Sequence, residues 1–186
     1  MAECNTCRPT IGQLRAEYFA ENDFGSDGGN CNRWVFLEFG PLRLPLYNSA
    51  ARRQAVPIHD LHHLITGYTT TPQGEAEIAS WELAAGTYDQ WFALLINLPA
   101  LLYGLAIWPR RTLDAWCAGS EVQGLYAHDF QDAWLLLELH QLQDIALQPK
   151  PAGATTPNLF GYLVLATLLM LIPVTCILGV ALYIAG

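Results

Sequence analysis

The last 29 residues of the chain, NLFGYLVLATLLMLIPVTCILGVALYIAG (158–186), contain no charged side chain. No other stretch restricts the folding options as much. A helix of this length exceeds what is needed to cross roughly 30 Å of hydrocarbon, so a C-terminal transmembrane helix is expected. Pro173 is tolerable there because lipid-embedded helices accommodate proline as a kink. The preceding QPKPAGATTP (148–157) has the composition of a connecting segment. The chain therefore divides into a folded domain (1–150), a linker (151–157) and an anchor (158–186).

Composition agrees with a membrane setting. Hydrophobic residues make up 52% and charged residues 14%, against about 25% charged in an average soluble domain. Nine Lys and Arg face 17 Asp and Glu, a formal charge of −8. That balance offers no basic footprint for phosphate backbones, so nucleic acid is excluded as a partner. The N-terminus, MAECNTCRPTIGQL, lacks the basic and apolar regions of a secretory signal. A single-pass C-terminal anchor with residues 1–150 facing the cytoplasm follows as the expectation, supported weakly by Lys150, the one cation flanking the anchor. Five cysteines, an odd number with Cys176 inside the apolar run, do not suggest a disulfide framework. Cys4 and Cys7 form an isolated C-x-x-C without the further ligands that a structural zinc needs.

Along the domain, IGQLRAEYFAEN reads as a short helix and DFGSDGGN as a turn; no acid closes it into a calcium loop. RWVFLEFGPLRLPLYN is rich in β-formers but interrupted by Gly40-Pro41 and Pro45, which predicts a small hairpin or extended lip. Helical periodicity begins at Ser49. Pro57 is expected in the first turn of the helix that carries the histidines, and Gly67 at its end. Thr71-Pro72 supplies an N-cap and first-turn proline for a second helix through GEAEIASWELAAG, antiparallel to the first. WFALLINLPALLYGLAIW (91–108) has no charge, and its Asn97, Pro99 and Gly104 favour a buried core helix kinked at Pro99 over a membrane span. CAGSEVQG reads as a polar loop and DFQDAWLLLELHQLQDIALQ as an amphipathic helix. The fold class expected is mainly α: a helical domain with a short N-terminal extended or hairpin segment and a C-terminal transmembrane helix.

The chemistry concentrates in IHDLHHLITGYTTTPQGEAE (58–77), which holds three of the five histidines. On a helix, His59 and His63 stand at i and i+4 and share a face, the spacing that lets two imidazoles bind one divalent ion. Asp60 is one step round, as a further ligand or a hydrogen-bond partner for an imidazole. Glu75 begins the facing helix. Such a set suits zinc, iron, cobalt or manganese without choosing among them. His59-x-x-His62-His63 also matches one box of membrane di-iron desaturases, but that site needs about eight histidines and the chain has five. An HD-type phosphohydrolase would require further spaced ligands, and His128-Asp129 falls in a later loop. Glu82, seven residues after Glu75, shares its helical face as a supporting group or proton carrier. Arg52 and Arg53 precede the histidines and are placed to neutralise a substrate carboxylate, whereas Arg110 and Arg111 read as membrane-surface anchors.

His59-Asp60-Leu61-His62-His63, eleven intervening residues and Glu75 resemble the spaced His-Asp-x-x-His…Glu signature of the coenzyme Q biosynthesis protein 4 family. LITGY after the histidines, GEA at the acid, the apolar helix that follows and the closing DFQDAWLLLELHQLQDIAL are similar in layout, so the likeness covers roughly residues 45–148. The resemblance implies His59, Asp60, His63 and Glu75 as ligands of a divalent metal ion, with His62 at a variable position. It also implies a helical protein of ubiquinone biosynthesis working on a polyprenylated quinone precursor or another isoprenoid lipid at a membrane, alongside other quinone-biosynthesis proteins. The activity it implies is oxidative decarboxylation and hydroxylation at ring carbon C1; Glu75 and, from its spacing on the same helical face, Glu82 are the catalytic candidates. The competing expectation is a non-enzymatic lipid-binding or scaffold protein of a membrane biosynthetic complex, with a structural metal. A groove along 91–108 for the isoprenoid tail would fit the first. Ordinary core packing is the alternative for that helix.

Overall fold

The computed structural model of the chain describes residues 8–39, 42–87, 90–151, 153 and 158–171. It is mainly helical, with one small hairpin. Helix α1 (Ile11–Glu21) leads to strands β1 (Trp34–Phe39) and β2 (Leu42–Tyr47), then α2 (Ala50–Thr66), α3 (Pro72–Ala85), α4 (Trp91–Ile107) and α5 (Pro109–Ser120). Two 3₁₀ turns, Leu125–Ala127 and Asp132–Leu136, precede α6 (Leu139–Ala146). Residues 159–171 form a further helix, α7.

Local sequence accounts for most boundaries. Thr10 and Gln13 make a reciprocal capping box at the start of α1. The DFGSDGGN stretch is a turn, as expected: Asp27 accepts from the backbone N–H groups of Gly29 and Cys31. β1 and β2 pair antiparallel, with Pro45 opposite Phe36. Ser49 caps α2 by accepting from the Arg52 N–H, and Gly67 ends it at φ 75°, a left-handed conformation that glycine adopts without a Cβ penalty. Thr71 caps α3 with Pro72 in its first turn.

Three expectations need correction. Pro57 does not open a helix; it lies in the middle of a continuous α2, where it forgoes the hydrogen bond to the Arg53 carbonyl. The 129–148 stretch is not one helix. Leu137 is extended at ψ 156°, its carbonyl accepts from the Ile11 N–H at 2.8 Å, and Glu138 restarts the chain as the N-cap of α6. Tertiary pairing with the start of α1 has overridden the local periodicity. CAGS belongs to α5 rather than to a loop.

The core has two main parts. Ile11, Ile58, Leu61, Leu125, Trp134 and Leu142 bring α1, α2, the 3₁₀ turns and α6 together. Leu83, Leu98, Leu101, Trp116 and Ala166 join α3, α4, α5 and α7. Each fully buried leucine or isoleucine contributes about 1.5–3 kcal/mol. The second part is tightly seated because two helix glycines remove side chains at the crossings. A Cβ on Gly119 would collide with the Trp81 carbonyl, and one on Gly104 would lie 2.6 Å from the Ala76 methyl.

Among the described residues, no helix is long and apolar enough to cross a membrane. The anchor expected over 158–186 lies largely outside the described residues, which end at 171; so do Cys4, Cys7, Cys176 and most of the 151–157 linker. Helix α4 departs from the buried core helix expected. Phe92, Ala93, Asn97, Leu98, Leu101 and Gly104 are buried, while Trp91, Leu95, Tyr103 and Ile107 are exposed.

Candidate metal centre

α2 and α3 meet across a polar seam. Because His59 and His63 are one turn apart on α2 and Glu75 sits in the first turn of α3, their ligand-type atoms all fall within 4.8 Å of one another. His59 Nε2 and His63 Nε2 are 3.2 Å apart, and each is 3.5 Å from a Glu75 carboxylate oxygen. Glu75 is 42% exposed and closes the cluster from the solvent side.

The hydrogen bonds behind the rings determine what those atoms present. His59 Nδ1–H donates to Glu82 Oε1 at 3.0 Å, and His63 Nδ1–H donates to the Tyr68 carbonyl at 2.8 Å. With one proton of each ring committed at Nδ1, the two Nε2 atoms face each other and the Glu75 carboxylate, where a protonated Nε2 donates and a deprotonated one offers a lone pair. Two lone pairs and an anion converging at these distances repel unless a cation lies among them. A shared proton or a metal ion satisfies the geometry. Carboxylate and carbonyl acceptors behind metal-ligating imidazoles are the usual means of fixing ring orientation.

Charge balance points the same way. Burial pulls His59 toward the neutral form, but the charge of Glu82 and hydrogen bonds to Glu75 and Glu82 outweigh it and raise its pKa well above the ordinary value. Burial would raise the Glu75 pKa, but hydrogen bonds from His59 and His63 prevail and bring it down to about 2. Glu82 is held well below the carboxylate range against its burial, first by the charge of His59 and then by the bonds from both imidazoles. Among the described residues neither carboxylate pairs with lysine or arginine, so in the metal-free chain the proton held by His59 is their nearest counter-charge. A divalent ion taking the place of that proton would neutralise both carboxylates.

His62 has a different task. Its Nε2 accepts from the backbone N–H of Leu125 at 2.9 Å, and its Nδ1–H donates to Glu82 Oε1 at 2.7 Å. Fully buried between the Trp81 and Tyr126 rings, it has no nitrogen left for a metal. Asn97 on α4 completes the carboxylate, donating to Glu82 Oε2 at 2.6 Å. Glu82 therefore lies behind His59, fully buried, and not beside Glu75 at the open side.

The other expected residues fall as follows. Asp60 is outside the three-residue group; its nearest cation is Arg15, 3.8 Å away, and burial raises its pKa. Arg52 donates to the Asn48 side chain. Arg53 donates to the Asn48 carbonyl and lines a cleft of about 630 Å³ with Arg15, Gln54, Gln90, Asp129 and Asp132 among others. Two buried atoms without partners, Arg15 Nε and Asn30 Oδ1, belong to side chains of the same cleft.

Sequence reasoning missed Tyr18, whose ring stacks on His63 at 5.7 Å, and the Tyr68 carbonyl and Leu125 N–H, which no side-chain pattern reveals. It treated Asn97 only as a weakness in an apolar run. An amide at the centre of such a helix needs a buried partner, and that requirement was a readable signal.

Compared with family models, curated proteins and solved structures, the chain matches none.

Proposed function

We propose that this chain is a membrane-associated, divalent-metal-dependent protein of polyprenyl quinone biosynthesis, with His59, His63 and Glu75 as the metal ligands. The observation that carries the metal assignment is the convergence of two Nε2 atoms and one carboxylate, with both Nδ1 atoms bonded elsewhere. The quinone assignment rests on the similarity of the His-Asp-x-x-His…Glu spacing to the coenzyme Q biosynthesis protein 4 family.

Two histidines and one carboxylate leave coordination positions free, an arrangement suited to iron that meets oxygen and organic substrate together. A metal here would supply Lewis-acid or redox chemistry at a ring carboxylate. The net change, loss of carbon dioxide with gain of a ring hydroxyl, is a two-electron oxidation that balances with dioxygen as the acceptor when water supplies the hydroxyl oxygen and dioxygen leaves as hydrogen peroxide. The chain's own residues do the rest. Glu82 and the Tyr68 carbonyl hold the imidazole Nδ1 protons, Glu75 faces the accessible side, and Arg53 is the cleft residue that would meet a carboxylate, beside Asp129 and Asp132. The exposure of Glu75 favours an open site over the closed four-ligand shell of a structural metal.

Metal analysis of the purified full-length chain, with mass spectrometry of co-purifying lipid, tests the proposal. One divalent ion per chain, lost in His63→Ala but not in His62→Leu, and a bound polyprenyl ring are expected. Glu75→Gln should stop turnover of the prenylated ring acid without unfolding the chain. If Glu75→Gln leaves quinone synthesis intact, the protein is a scaffold, and if neither metal nor lipid is bound the proposal fails.

A further inference from the structure

Helix α4 carries an apolar ridge that none of the described residues covers. Trp91, Leu95, Tyr103 and Ile107, in an i, i+4 register through Pro99, are 59%, 40%, 50% and 54% exposed. A ridge at this spacing runs the whole helix, about 25 Å at 1.5 Å per residue. α7 adds a second one. Its Leu159, Tyr162 and Leu163 pack onto the Leu83–Leu98–Leu101–Trp116 cluster, yet its opposite face is apolar as well, with Phe160, Val164 and Leu168 exposed. A helix that is apolar all round requires an apolar medium on the side the protein leaves open, and two such ridges beside one cluster exceed the isolated exposed residues usual on a soluble monomer.

We infer that the α4 ridge, together with the outer face of α7, is seated in the interface of a lipid bilayer, with α4 parallel to the membrane plane. Three features select lipid over a protein partner. The chain continues from α7 through residues 172–186 without a single charge, and none occurs anywhere in 151–186, so the sequence joined to α7 stays apolar throughout. Trp91 and the Tyr103–Trp108 pair, ring centroids 5.5 Å apart, stand toward the two ends of α4, where amphipathic aromatics suit headgroup level. Arg110 follows at once, where a cation meets anionic headgroups; Arg111, expected as a second surface anchor, is instead hydrogen-bonded to Glu77 at 2.6 Å.

α4 cannot itself span. Asn97, on its inner face, is hydrogen-bonded to the fully buried Glu82, so the helix stays docked on α3 and meets lipid along one side only, as interfacial helices do. The consequence is positional. Glu82 holds His59, so the histidine centre sits behind α4, about one helix diameter (~10 Å) from the lipid. The inference stands whether or not that centre is catalytic.

Tryptophan quenching by acyl-brominated lipids tests it on the full-length chain reconstituted in phosphatidylcholine/phosphatidylglycerol vesicles. The difference in emission between the wild type and Trp91→Phe isolates Trp91. That emission should be largely lost in brominated vesicles and retained in unbrominated ones. In the Trp91→Phe background, Leu95→Trp and Ile107→Trp should be quenched likewise, and Glu17→Trp, exposed on α1, should not. Ridge tryptophans quenched no more than the α1 control overturn the inference. Blue-shifted but unquenched ridge tryptophans also overturn it, because a second copy or another protein would then cover the ridge.

Discussion

Replacing His62 by leucine separates the two kinds of histidine in the HDLHH stretch. The imidazole is fully buried and makes two hydrogen bonds, one from the Leu125 N–H at 2.9 Å and one to Glu82 at 2.7 Å. Leucine fills similar space and makes neither. The orphaned, buried N–H costs about 1–3 kcal/mol, and the lost bond to an ionised carboxylate about 1.5–3 kcal/mol. Greater apolar burial of the leucine offsets roughly 1 kcal/mol, leaving a net destabilisation of about 2–5 kcal/mol. Against a total stability of about 5–15 kcal/mol that is a large fraction, and at 2–4 °C per kcal/mol for a chain of this size it lowers Tm by roughly 5–20 °C. Near-ultraviolet circular dichroism melts of the full-length chain measure the loss, and metal analysis at a temperature where the variant remains folded measures the site. Stability should fall while one metal per chain is retained. A melt unchanged within about 1 kcal/mol, or metal lost from a fully folded variant, refutes the assignment of His62 to the scaffold.

Other outcomes follow from the same bonds. Glu82→Gln keeps an oxygen for both imidazoles but removes the charge behind His59 and the acceptor of the Asn97 amide; divalent-ion affinity measured by competition with a chelator should fall by about 10–100-fold, and an unchanged affinity would show that the carboxylate is not a supporting group. Metal binding at neutral pH should release a proton, because His59 in the metal-free chain holds its proton well above the ordinary histidine range and a ligating imidazole must give it up; calorimetry in buffers of different ionisation enthalpy reads the stoichiometry, and zero release would be the contrary result. Glu75 and Glu82 have lowered pKa values, so the stability they give the metal-free chain is present above the ordinary carboxylate pKa and is lost as pH falls toward about 2 for Glu75; denaturant titrations across acid pH should show that loss, and a Glu75→Gln chain should show less of it. Gly119→Ala forces α5 off α3 because the new methyl meets the Trp81 carbonyl; overpacking of about 1–3 kcal/mol or more should appear in a urea midpoint, and a neutral midpoint would mean the crossing can relax.

Much of the fold was legible because its boundaries are written in caps and breakers. Ser49, Gly67 and Thr71-Pro72 delimit the two helices of the site, and the i, i+4 pair with Glu75 across a short connection locates the cluster. What was illegible depends on tertiary partners. Asp60 stands beside His59 in sequence, but Arg15 on α1 is its nearest cation. Glu82 shares a face with Glu75, yet two turns along α3 its carboxylate passes behind His59 rather than into the open side. The break at Leu137 follows from pairing with Ile11 across 126 residues. Helical periodicity described α4 correctly as apolar, but it could not say which side would be left without a protein neighbour.

The three proposed ligands are held unequally. Two imidazoles are pinned from the interior, and the carboxylate that completes the set comes from the first turn of α3 and remains accessible. Exchange of an ion is then a matter of one side-chain rotation in front, with no opening of the core behind. A chelator should strip the centre at a rate set by Glu75 and leave the helices folded. Reloading would meet a site whose two nitrogen ligands had not moved.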